Sequence, residues 1–123
     1  MAKAMVLVDV AQKNLVEALE EVKAAEKAMH GVKGSDVSKE MKTYTEMKLD
    51  AMEEQEKIFE LELRAMTIRV QALSEPESDI LPERLAEYEK QIAELDKEAR
   101  EHAGRAQSLH IDANEYYDEK IKE

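Results

Sequence analysis

From residue 81 to residue 116 the chain repeats one spacing without a break. Leu81, Leu85, Tyr88, Ile92, Leu95, Ala99, His102, Ala106, Leu109, Ala113 and Tyr116 alternate steps of four and three. Steps averaging 3.5 residues return to one side of an α-helix, so this stretch dictates a long helix with a single adhesive edge. A strand would need an apolar residue at every second position.

Two more segments follow the same rule. Val8, Ala11, Leu15, Ala18, Val22, Ala25, Met29 and Val32 form a seam in which larger side chains mostly alternate with alanine, the composition of a close helix approach. The middle segment carries two stripes. One is Tyr44, Met47, Ala51, Glu54, Ile58, Leu61, Ala65, Ile68 and Ala72; the other is Leu49, Met52, Glu56, Phe59, Leu63, Met66, Val70 and Leu73. A helix with two apolar stripes, read here as adjacent faces, must be covered from two sides, which makes this segment the central element.

Punctuation fixes the boundaries. Gly31 and Gly34, followed by Ser35 and Asp36, combine a helix stop with a helix cap. Pro76 and Pro82 bracket the second break, and Pro82 suits the first turn of a helix. The expected fold is all-α: one domain over residues 1–123, with helices at about 2–30, 36–73 and 82–122. These are three long antiparallel helices in a coiled-coil-like three-helix bundle with helix 2 central. Short connections match residues whose numbers sum to about 155 across the second break and about 66 across the first. Helix 1 then runs out near Arg64. The tip beyond it, Met66, Val70 and Leu73 near Ile80 and Leu81, is expected to be an uncovered apolar strip that, together with Phe59 and Leu63, recruits a partner or a second copy.

Composition narrows the function classes. With 43% hydrophobic residues, one Phe, four Tyr and no Trp, the core must be aliphatic. A net charge of −11, spread over all three helices, disfavours nucleic acid and anionic membrane surfaces as partners. The run Met5 to Val8 is too short for a secretory leader and is cut by Asp9. The chain has no cysteine, hence no disulfide or thiolate metal site, which does not decide the compartment. A cytoplasmic location is the default expectation.

Few residues suggest chemistry. Glu54 and His102 interrupt the facing seams at matching heights and are expected to meet as a buried polar pair that fixes register. Met29, Met41, Tyr44, Met47, Tyr116 and Tyr117 are expected to gather near the first loop as a second adaptable contact patch. A di-iron carboxylate bundle needs Glu-x-x-His, but Lys27, Ala99 and Gln107 precede the three histidines by three positions. The ExxE at Glu53 and Glu56 and the ExxD at Glu115 and Asp118 lie about sixty positions apart, and such acidic spacings arise readily in a chain with 29 acidic residues. Gly104 stands mid-helix, where a hinge or a close helix approach would account for it.

These readings point to a helical protein–protein interaction module, as adaptor, assembly component or helix-binding chaperone, without catalytic activity or cofactor. Its expected partners are another protein or further copies of itself. The alternative is a metal-dependent helical bundle enzyme using the acidic rows around Glu53 and Glu56 with His102.

Overall fold

The computed structural model describes residues 2–74 and 82–122, with side chains from Leu7 onward; Ile80 and Leu81 lie outside the described residues. α1 spans Ala2–Lys33, α2 Lys39–Ser74 and α3 Pro82–Lys120. The fold is an all-α three-helix bundle with α2 in the middle. α1 and α3 each pack on α2, and among the described residues they do not touch each other.

The spacing of the two stripes explains that openness. At about 100° of rotation per residue, the stripe through Glu54, Ile58, Leu61 and Ala65 lies about 150° around α2 from the one through Met52, Glu56, Phe59 and Leu63. The stripes are therefore nearly opposite rather than adjacent, and neighbours seated on them cannot meet. The first takes α3: Leu61, Ala65, Leu95 and Ala99 form the core cluster, with Ile58 and Ile68 against it. The second takes α1: Ala18, Val22 and Ala25 line one groove with Met52, Gln55 and Phe59. A layer of three rods encloses little, and among the described residues no large side chain is completely buried.

The second hairpin keeps the expected register: Glu54 meets His102 and Lys48 meets His110. The first does not. Lys33 pairs with Glu46 at 3.3 Å and Lys23 with Glu56 at 3.9 Å, so facing residues sum to 79 rather than 66. α1 is therefore displaced along α2 and runs past Arg64 to the end of α2, so the expected uncovered tip does not exist. Phe59, Leu63, Met66, Val70 and Leu73 are half-buried.

The connection accommodates this shift. α1 continues through Gly31 to Lys33, and the amide of Gly34 donates to the His30 carbonyl at 3.0 Å. Among the described residues no glycine adopts a positive φ, so the helix ends without a left-handed cap. Ser38, rather than Ser35 or Asp36, caps α2: its hydroxyl accepts from the Met41 amide at 3.1 Å. Residues 34–38 then span the roughly 10 Å by which the first turns of α2 project beyond α1.

Candidate functional site

The seam between α2 and α3 holds the Glu54–His102 pair that the interrupted stripes led us to expect. His102 Nδ1 hydrogen-bonds Glu54 Oε2, and both side chains are largely enclosed. Arg105 adds a hydrogen bond from Nε to the same oxygen at 3.4 Å, while its Nη2 lies 2.8 Å from His102 Nδ1. That ring nitrogen serves either as donor to Glu54 or as acceptor from Arg105. Lys57 Nζ stands 3.8 Å from the other Glu54 oxygen. The hydrogen bond from His102, aided by Arg105 and Lys57, outweighs burial and holds the Glu54 carboxyl below its ordinary range. Arg105 was missed in the sequence because it lies one turn beyond His102, off the seam.

At one end of the same seam Tyr44 and Tyr117 pack with ring centroids 5.2 Å apart and planes tilted by 51°. Burial, then the neighbouring Tyr117, raise the Tyr44 hydroxyl above its usual range. Lys48 Nζ lies 5.8 Å from the Tyr44 centroid and 3.4 Å from His110 Nδ1. Burial and the Lys48 charge both lower the His110 imidazole, consistent with a neutral ring accepting from the ammonium. The expected methionine–tyrosine patch is thus split. Tyr44 and Tyr117 meet near Met41, whereas the register of α1 carries Met29 about two turns away, beside residue 50. Met47 and Tyr116 are half-buried.

The seam between α1 and α2 has the opposite electrostatics. Glu26 of α1 faces Glu56 and Glu53 of α2, with Lys23 the one cation among the charges acting on it. Its Oε1 is enclosed and has no hydrogen-bond partner. Burial above all, then Glu56 and Glu53, push its carboxyl up to about 7. Glu53 and Glu56 therefore belong to one seam and His102 to the other, so the ligands imagined for a metal-dependent enzyme do not converge. Among the described residues no group of three or more His, Asp or Glu side chains is arranged to hold a metal ion.

Gly104 lies on the outer face of α3, beside Arg100 and Ser108, and a Cβ there would meet nothing within 4 Å. Close helix approach does not explain it. Among the described residues no helix is long and apolar enough to cross a membrane.

Between the two seams both broad sides of α2 stay open, one exposed and charged and the other bordered by two largely apolar grooves. Phe59, Met52 and Gln55 border a groove with Ala18, Val22 and Ala25. Ile58 and Glu62 border another with Asp96, Ala99 and Ala103. Both grooves are shallow and floored largely by alkyl groups. No protein-family model, curated protein or solved structure matches the chain.

Proposed function

We propose that this chain is a helical protein–protein interaction module that works by offering packed helix surface and performs no chemistry of its own. The observation that carries this reading is the placement of α1 and α3 on nearly opposite sides of α2, which leaves two apolar grooves side by side on one face. Closed bundles turn such grooves inward, whereas open ones present them to another helix, whose ridges fit between the rows. Glu54, His102 and His110 are occupied within the α2–α3 seam, which supports a structural use for them. A role as adaptor, assembly component or helix-binding chaperone follows from such a surface.

The test uses the full chain as bait, with Phe59→Glu as the groove variant. The expected result is a partner retained by the native protein and lost with the variant, while circular dichroism reports unchanged helicity for both. Equal retention by both would overturn the grooves as the docking surface.

A further inference from the structure

Once α1 and α3 are seated, the two broad faces of the layer differ in kind. On one face Glu46, Glu53, Lys57, Glu60 and Arg64 of α2 stand exposed and charged. On the other, Lys48, Gln55, Glu62 and Arg69 recur every seven residues, and all four are half-buried. Contacts fix where this second row lies. Lys48 reaches His110 and Arg69 reaches Asp96 on α3, at 3.4 and 3.6 Å. Gln55 borders the groove toward α1, and Glu62 the groove toward α3. The row is thus a polar ridge between two apolar grooves.

The outer rods add exposed apolar side chains to this same face. Eleven residues are about three helical turns, so residues eleven apart share a side. Val10 and Val32 lie eleven positions either side of Glu21, which lines the groove between α1 and α2. Leu85 lies eleven positions before Asp96 and Ile111 eleven after Arg100, both on the groove between α2 and α3. All four are exposed, Ile111 at 48% and Val10 at 50%. Leu7, eleven positions before Ala18, is 69% exposed.

The geometry points to a second copy of this chain as the occupant of this face, packed with α2 antiparallel to α2 about a twofold axis at Gln55, so that Lys48 of each copy meets Glu62 of the other. Three observations choose this occupant, and the inference rests on the interaction-module reading above. First, Lys48 and Glu62 stand seven residues either side of Gln55, so a twofold axis there pairs opposite charges twice; isologous interfaces require such self-complementarity. Second, the groove linings and ridge balance Glu21, Glu62 and Asp96 against Lys48, Arg69 and Arg100. In a chain of net charge −11, this is the side on which two copies approach without like-charge repulsion. Third, the chain exposes 8418 Å², whereas a compact monomer of its 14.1 kDa exposes about 6,700 Å². The excess, roughly 1,700 Å², is about twice the ~800 Å² that each partner contributes to a standard interface. Glu62, whose carboxyl is raised by burial and by Asp96, gains a cation from the second copy.

The absence of native cysteine makes the test clean. Sedimentation equilibrium of the full chain is expected to show a dimer. Under mild oxidation the Gln55→Cys variant is expected to cross-link to itself, and Glu60→Cys, on the opposite face, is not. Lys48→Glu and Glu62→Lys are each expected to weaken the dimer by roughly tenfold, and the double variant to recover it, because swapping both signs restores both pairs. Circular dichroism keeps misfolded variants out of the comparison. A chain that stays monomeric across the range, or a dimer that cross-links through Glu60→Cys, overturns the inference. A monomer whose partner capture is still lost with Phe59→Glu would overturn the second copy alone and leave the interaction module standing.

Discussion

The two seams of α2 solve the same packing problem with different chemistry. Toward α3, buried leucine faces buried alanine, and Glu54 finds its complement in His102 and Arg105, as Arg69 does in Asp96. Toward α1 no described residue of the outer helix is buried, and the polar interruption sets a carboxyl against two more carboxyls with one lysine nearby. The difference teaches that a heptad seam specifies proximity, while the polar residues that interrupt it decide how firmly the seam is held. α3 should be the retained partner of α2, and α1 the helix that loosens first.

The largest expected effect tests that ranking directly. Leu61→Ala or Leu95→Ala should cost about 3 kcal/mol, and Val22→Ala about 1 kcal/mol, as read from urea midpoints. Equal costs would erase the distinction. Next, Glu54→Ala leaves His102 and Arg105 without their acceptor and should cost about 2 kcal/mol by the same measurement.

The sharper contrast is in pH. Glu26 has a folded pKa above its ordinary value of 4.5, at about 7, so its contribution to docking is present below 4.5 and is lost as pH rises toward 7. Glu54 is lowered, so its contribution is present above the ordinary value and is lost as pH falls through the folded one. Hydrogen exchange, corrected for intrinsic rates, should therefore quicken in α1 between pH 5 and pH 8 while α3 stays protected over that interval. As pH falls below the ordinary carboxyl value of 4.5 and through the lower folded one, the α2–α3 seam should loosen in its turn. Glu26→Gln should abolish the α1 response and stabilise the protein at pH 8 by about 1 kcal/mol, a figure kept small because water screens a partly exposed group. The smallest effect is expected at Gly104, where a methyl group meets open space: Gly104→Ala should raise stability by somewhat less than about 1 kcal/mol through helix propensity alone.

Much of the architecture was written in spacing. The α3 run from Leu85 to Tyr116 contains every buried residue of that helix, Leu95, Ala99, Ala106 and Ala113. The meeting of Glu54 with His102 followed from a short connection and matched heights. Even the near-opposition of the two α2 stripes was implicit at 100° per residue, although they read at first as adjacent. Arg105 was harder to see because it joins the pair from beside the seam.

Sequence was thus sufficient for the three helices, their order, the central place of α2 and the faces that seek cover, because periodicity is a local property that each segment carries alone. Tertiary structure was needed for the register of α1. The alternation of Val8, Ala11, Leu15, Ala18 and Val22 repeats every seven residues, so sliding it by two heptads leaves nearly the same pattern against α2. The observed displacement, 79 against 66 in the facing sums, is close to such a slide. What breaks the degeneracy lies off the seam: Lys33 with Glu46, Lys23 with Glu56, and the fit of Ala18 and Val22 against Phe59 and Met52. Those pairings are relations between distant residues, and they exist only once the chain is folded.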